Sequence, residues 1–139
     1  MKRVLFLCTG NSCRSQMAEA IVNACLANEW RAFSAGSKPT GFVHPKALAA
    51  LAEIGIQHQG RSKLVDEFRG EDFDLVVTVC DSAAEGCPVW IGKGKRMRHR
   101  YPDPAEAQGT DEEIMNAFRT VRDTMEKEMA ALLTASLAV

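Results

Sequence analysis

The stretch Cys8-Thr9-Gly10-Asn11-Ser12-Cys13-Arg14-Ser15 decides the fold, and it follows directly on the apolar run Val4-Leu5-Phe6-Leu7. A short apolar run of this kind is typical of a strand that is buried on both faces. The helical spacing of Met17, Ile21 and Cys25 predicts a helix from about residue 12 toward residue 28, with Cys25 in the core. A strand, a loop of small residues and a helix start therefore follow one another, an order typical of an anion-binding loop.

The loop has the chemistry to bind a tetrahedral oxyanion. Gly10 and its small polar neighbours allow backbone N–H groups to turn inward, and the helix N-terminus adds its positive end. The planar guanidinium of Arg14 can hold two oxygens of the anion. The same positive field is expected to lower the pKa of Cys8 and make it a nucleophile. We expect the anion to be bound by Thr9, Gly10, Asn11, Ser12, Cys13 and Arg14.

Composition is that of a soluble globular protein forming one domain over residues 1–139, with 46% apolar and 25% charged residues. The net charge of −1 argues against nucleic acid or an anionic membrane as the main partner. No apolar run is long enough for a membrane span or a signal peptide, so we expect a cytoplasmic protein. Nothing in the sequence indicates an oligomer, and we expect a monomer. Cysteines in a reducing compartment are expected to be functional thiols or small core residues.

Strands and helices alternate along the rest of the chain. We predict strands over residues 31–35, 75–79 and near 96–100, a helix from Pro45 to Gly55, and a long helix that opens at the capping box Thr110-Asp111-Glu112-Glu113. Alternation of this kind predicts an α/β fold with a four-stranded parallel sheet of flavodoxin-like order 2-1-3-4 and helices on both faces. Strands one and three are then neighbours, and ligands are expected to bind where these two strands end.

Cys8 and Cys80 each follow one of these two neighbouring strands. Adjacent strands lie about 4.8 Å apart, and a disulfide joins Cα atoms that are about 5.5 Å apart. We therefore expect the two sulfurs to come within bonding reach after a small loop movement. Two thiols in this arrangement suit an enzyme that transfers two electrons.

Cys87 follows Cys80 after six intervening residues. If this segment is helical, the two sulfurs share a face but lie roughly 10 Å apart, which is too far for a disulfide. Gly86 and Pro88 make the end of such a helix easy to unwind. The segment is therefore predicted to be a redox switch that is ordered when reduced and looped out when Cys80 and Cys87 are joined.

These residues resemble the low-molecular-weight tyrosine phosphatase superfamily, and specifically its arsenate reductases of the thioredoxin-coupled type. The resemblance covers essentially the whole chain. It rests on residues 8–19, on Ser34-Ala35-Gly36, on residues 76–80 with Cys87, and on Asp103-Pro104. It implies the low-molecular-weight phosphatase fold, whose strand order is the one predicted above.

The resemblance also implies a role for the residues around the loop. Cys8 would attack arsenate, Arg14 and the loop amides would hold its oxygens, and Asp103 would protonate the departing oxygen. Ser15 would support the Cys8 thiolate with a hydrogen bond. Phosphate is expected to compete with arsenate, because the loop recognises shape and charge.

The remaining steps implied by the resemblance form a three-cysteine relay. Cys80 would attack Cys8, which releases arsenite and leaves a Cys8–Cys80 disulfide. Cys87 would take over this disulfide and present Cys80–Cys87 to a reductant. Thioredoxin is the implied reductant, with glutaredoxin or a small thiol as alternatives, and no cofactor is expected besides the external thiol.

The chain departs from the family pattern at one position. Family members often bind a potassium ion near the anion loop, and Asn11, Glu19 and Ser34 match that site. Lys63, however, stands where the acidic ligand of the family is expected. Either the Lys63 ammonium stands in for the cation or Asp66 reaches in, so we expect no metal at this remnant of a cation site and activity that does not depend on potassium.

Two other interpretations compete with this one. A low-molecular-weight protein tyrosine phosphatase would use the same Cys8, Arg14 and Asp103, but such enzymes tend to carry an aromatic residue where Ala105 stands here. A non-enzymatic alternative is an oxyanion or redox sensor that binds a partner through the switching segment. The basic stretch over residues 93–100 is interpreted as a solvated loop that attracts anions and not as a nucleic-acid site.

Overall fold

The computed structural model describes residues 1–80 and 88–137. Cys87 and the helix predicted between Cys80 and Cys87 lie outside the described residues. No helix in the described part of the chain is long and apolar enough to cross a membrane.

Strands and helices alternate as predicted. The strands are β1 (Lys2–Cys8), β2 (Trp30–Gly36), β3 (Leu75–Thr78) and β4 (Lys95–Arg98). The helices are α1 (Arg14–Cys25), α2 (Pro45–Glu53) and α3 (Asp111–Leu137), with short 3-10 helices at Val65–Phe68 and Pro104–Glu106.

The four strands form one parallel sheet in the order β2-β1-β3-β4, which confirms the predicted topology. The register pairs Cys8 with Gly36 on one side, and it pairs Leu7 with Thr78 on the other. Strands β1, β2 and β3 therefore end at the same edge of the sheet. The anion loop leaves from the middle of that edge.

Alternate residues of β1 belong to two buried clusters on opposite faces of the sheet. Phe6 and Cys8 lie in the larger cluster, together with buried residues from α1, α2 and α3. Leu5 and Leu7 lie in the other cluster, which contains Phe68 of a 3-10 helix. In the described part of the chain, the three α-helices thus pack on one face, and a 3-10 helix lies on the other.

The helix boundaries have identifiable caps. Pro45 begins α2, and the Nδ1 of His44 accepts a hydrogen bond from the backbone N–H of Lys46 at 3.1 Å. Thr110 and Glu113 form the reciprocal hydrogen bonds of the predicted capping box, at 3.1 and 3.2 Å.

Helix α1 is shorter than predicted. It ends at Cys25, because Leu26 leaves the helical conformation and its carbonyl accepts the backbone N–H groups of Glu29 and Trp30. The expectation that Cys25 lies in the core is wrong, since its side chain is exposed at this helix end.

Candidate active site

The anion loop is held in shape by two unusual backbone positions. Asn11 has a φ of 48°, in the left-handed region that asparagine tolerates better than most residues. Gly36 lies directly beside the loop, where an added Cβ would come within 2.4 Å of the Thr9 carbonyl oxygen. A larger residue at position 36 would therefore push β2 and the loop apart.

The outer side of the loop is fixed by hydrogen bonds to its carbonyl groups. The carbonyls of Thr9, Gly10 and Ser12 accept backbone N–H groups of Lys38, Thr40 and His44 at 2.9–3.0 Å. In a trans peptide the N–H group points opposite to the carbonyl, so the amides of the following residues are turned inward. This is the arrangement that binding of an oxyanion requires.

Cys8 lies on the floor of the loop with two hydrogen-bond donors on its sulfur. The Asn11 backbone N–H donates to Cys8 Sγ at 3.3 Å, and the Ser15 Oγ lies 2.8 Å from the same sulfur. Asn11 Nδ2 donates to Ser15 Oγ at 2.8 Å, which leaves the Ser15 hydroxyl proton to be donated to Cys8. The structure thus brings Ser15 to the position predicted for it.

Burial raises the pKa of the Cys8 thiol, since its side chain is 2% exposed. The hydrogen bond from Ser15, the charge of Arg14 and the Asn11 N–H act in the opposite direction. The prediction of a lowered pKa is therefore wrong for the net shift, although the groups expected to lower it are present. Burial also raises the pKa of Cys13, to about 12, so Cys13 remains a thiol.

Arg14 and Asp103 meet above the loop. Arg14 is 4% exposed, donates from Nη1 to the Tyr101 carbonyl at 3.2 Å, and places Nη2 3.6 Å from Asp103 Oδ2. The other Asp103 oxygen accepts the backbone N–H of Ala105 at 3.0 Å, which caps the second 3-10 helix. Two contacts therefore orient the Asp103 carboxyl group toward the anion site.

A cavity of about 260 Å³ opens over Cys8. Its lining contains Gly10, Ser12, Cys13 and Arg14 of the predicted anion-binding set, together with Asp103, Ala105, Thr40, Phe42 and His44. Asn11 is fully buried, and its side-chain oxygen accepts a hydrogen bond from Gln16 Nε2, so Asn11 supports the loop from outside the cavity.

Cys80 is fully buried and belongs to the same buried cluster as Cys8. The register of β1 and β3 places Cys80 next to Thr9, and the Cys80 Sγ lies 3.8 Å from the Thr9 hydroxyl. The second thiol of the predicted relay is thus located at the edge of the anion loop. Thr9 takes part in the site at this contact.

Two of the three residues that match the family cation site are in contact, and the third, Asn11, is hydrogen-bonded to the Lys63 backbone. Ser34 donates to Glu19 Oε1 at 2.8 Å, and Asn11 Oδ1 accepts the Lys63 backbone N–H at 2.9 Å. The Lys63 ammonium, however, lies 3.8 Å from the same Glu19 oxygen. Potassium would face this positive charge, so the residues present do not fit it. Asp66 is turned away and pairs with Arg69 at 3.0 Å.

Sequence reasoning missed several contacts of the site. The Tyr101 carbonyl anchors Arg14, and Gln16 braces the loop by donating from Nε2 to both oxygens of Asn11 at 3.0 and 3.2 Å. His44 also lines the cavity. The contact through the Tyr101 carbonyl could not be predicted, because a backbone carbonyl is common to every residue. Gln16 could have been identified, since it lies within the motif of residues 8–19.

Comparison with known proteins agrees with this geometry. An arsenate reductase of Halalkalibacterium halodurans is 45% identical over 129 residues, covering 92% of each chain. An arsenate reductase of Bacillus subtilis is 45% identical over 123 residues, covering 88% of each chain. The crystal structure of an arsenate reductase from Archaeoglobus fulgidus is 32% identical, has a TM-score of 0.72, and is matched over 94% of this chain and 98% of its own. The family model described as low molecular weight phosphotyrosine protein phosphatase matches residues 3–138, and the chain therefore belongs to that family.

Proposed function

We propose that this protein is an arsenate reductase that transfers two electrons through Cys8, Cys80 and Cys87 to arsenate, with thioredoxin as the reductant. The observation that carries the proposal is the second buried thiol beside the anion loop, with Cys80 Sγ 3.8 Å from the Thr9 hydroxyl. The relatives named arsenate reductases match nearly the full chain and support the choice of oxyanion.

The first step joins Cys8 to arsenic. The Cys8 thiolate attacks arsenate, an S–As bond forms, and one As–O bond breaks. Arg14 and the inward backbone amides neutralise the oxyanion, and Asp103 donates a proton to the departing oxygen, which leaves as water. Because Cys8 is buried as a thiol, its proton must first be transferred, and the bound oxyanion is itself a suitable acceptor.

The second and third steps move the electron pair. The Cys80 thiolate attacks Cys8 Sγ, the S–As bond breaks, and arsenic keeps the bonding pair and leaves as arsenite. The Cys87 thiolate then attacks Cys80 Sγ and frees Cys8. A dithiol reductant reduces the resulting Cys80–Cys87 disulfide, so the two electrons delivered to arsenic are finally supplied by thioredoxin.

A phosphatase activity is not favoured. The curated relatives are named arsenate reductases, and Ala105 lines the cavity where an aromatic wall for a phenol ring would be expected.

A single-turnover assay tests the proposal. Reduced protein is mixed with excess arsenate without external reductant, and arsenite is measured. We expect about one arsenite per protein molecule, because one thiol pair supplies two electrons.

The Cys80→Ser variant should release almost no arsenite. Cys25→Ser, which changes an exposed thiol at the end of α1, is the control and should match the unaltered protein. Arsenite release by Cys80→Ser equal to that of the unaltered protein would contradict the relay, and efficient aryl phosphate hydrolysis without arsenate reduction would favour the phosphatase.

A further inference from the structure

Lys63 places a largely buried positive charge beside Glu19. Its side chain is 11% exposed, and the Glu19 side chain facing it is 13% exposed. The ammonium donates to the Arg61 carbonyl at 2.8 Å and lies 3.8 Å from Glu19 Oε1. The two charged groups therefore face each other with little access to solvent.

The other basic side chains near Glu19 do not neutralise its carboxylate. The Arg61 guanidinium is turned outward and pairs with Glu67 at 2.6 and 3.0 Å. His58 Nε2 lies 3.6 Å from Glu19 Oε2, but its closer contact is with Gln16 Oε1 at 2.7 Å, and burial lowers the pKa of His58. Lys63 is therefore the main positive charge at this carboxyl group.

A short chain of hydrogen bonds connects Lys63 to the nucleophile. The Lys63 backbone N–H donates to Asn11 Oδ1 at 2.9 Å, and Asn11 Nδ2 donates to Ser15 Oγ at 2.8 Å. Ser15 in turn lies 2.8 Å from Cys8 Sγ. The segment that carries Lys63 also accepts the Gly36 N–H through its carbonyl at 2.9 Å, next to the loop.

We propose that the Lys63 ammonium is a tethered cation that replaces a bound monovalent ion, neutralises Glu19 and holds the anion loop in its binding conformation through Asn11. Lys63 is thus a positioning residue. Without it, Glu19 would be a buried carboxylate lacking its main counter-charge, which is strongly unfavourable. The inference rests on the anion-binding part of the proposed function and is independent of arsenate reduction.

Chemical rescue tests this role with inorganic phosphate as the probe. The phosphate Kd and the phosphate-induced rise in Tm are measured in tetramethylammonium, potassium and ammonium chloride at equal ionic strength. The unaltered protein should respond alike in all three salts. In tetramethylammonium, Lys63→Ala should bind phosphate about tenfold more weakly or worse. Potassium or ammonium, which can enter the space left by the side chain, should restore most of the loss.

Lys2→Ala is the matched control, because the Lys2 ammonium lies over the Trp30 ring at 5.6 Å, at the opposite end of β1. It should show no dependence on the type of cation. Wild-type phosphate affinity of Lys63→Ala in tetramethylammonium, or a loss that neither cation restores, would overturn the proposal. If Lys63→Ala folds in none of the salts, Lys63→Met is used instead, because it keeps an apolar side chain of similar length without the charge. Lys63→Met is expected to bind phosphate more weakly than the unaltered protein. Unchanged phosphate binding by this variant would overturn the proposal.

Discussion

At the scale of single residues, Ser15 lies where it can stabilise the thiolate of the buried Cys8. Its hydroxyl lies 2.8 Å from the sulfur, and this hydrogen bond lowers a pKa that burial raises. Ser15→Ala should therefore raise the pKa of Cys8 further, by about one to two pH units if the bond is typical of those to charged groups. The rate of Cys8 alkylation rises with pH as the thiolate forms, so its midpoint should shift to higher pH.

Peptide mass spectrometry of iodoacetamide-treated protein measures this shift. The exposed Cys25 of the same molecule is the internal reference, and its pH profile should not change. An unshifted profile for Cys8 in Ser15→Ala would mean that Ser15 does not stabilise the thiolate.

The proposed role of Asp103 as a general acid can be tested separately from anion binding. Its carboxyl group lies beside Arg14 and caps a 3-10 helix, and an asparagine can keep the capping oxygen but cannot donate the proton. Asp103→Asn should slow single-turnover arsenite formation by about 10²–10⁴-fold while changing arsenate affinity little. Unchanged single-turnover rates would remove Asp103 from the mechanism.

Glu53 connects two helices that cover the same face of the sheet. It lies at the end of α2 and accepts hydrogen bonds from Arg119 and Arg122 of α3, which lower its pKa to about 2. The pKa of Glu53 is therefore lower in the folded protein than in the unfolded chain. The ion pairs stabilise the fold at pH values above the unfolded-state pKa, and this stabilisation is lost as Glu53 is protonated toward pH 2.

The matching prediction concerns the thermal stability of Glu53→Gln. Its Tm should lie below that of the unaltered protein near pH 7, and the difference should shrink as the pH falls below about 4.5. Glu126→Gln, which changes an exposed carboxylate on α3, is the control. A Tm difference that stays constant from pH 7 to pH 3 would show that the charge of Glu53 contributes nothing to stability.

Helix starts were more predictable than helix ends. The starts of α2 and α3 carry Pro45 and the capping box, which act through local backbone geometry that a sequence displays directly. The end of α1 carries no such signal. The helix ends because the Leu26 carbonyl accepts hydrogen bonds from Glu29 and Trp30, which lead into β2. The apolar spacing continues through this region, and the predicted helix was therefore too long and wrongly placed Cys25 in the core.

At the scale of the whole molecule, the sheet order and the position of the anion loop followed from alternation of strands and helices, since few topologies satisfy it. Contacts between residues distant in sequence could not be predicted in the same way. Arg14 is anchored by a carbonyl 87 residues away, and the Lys63 ammonium reaches Glu19 from a loop without regular periodicity. Such contacts depend on how loops pack against the folded sheet, which local sequence patterns do not determine.

The most direct test of the account is the disulfide formed by the Cys87→Ser variant. The reduced variant is treated with arsenate without external reductant, free thiols are alkylated, and the disulfide is mapped by peptide mass spectrometry. The relay predicts a Cys8–Cys80 bond together with about one arsenite per molecule. Arsenite release with Cys8 and Cys80 both alkylated, or a disulfide that omits Cys80, would contradict it.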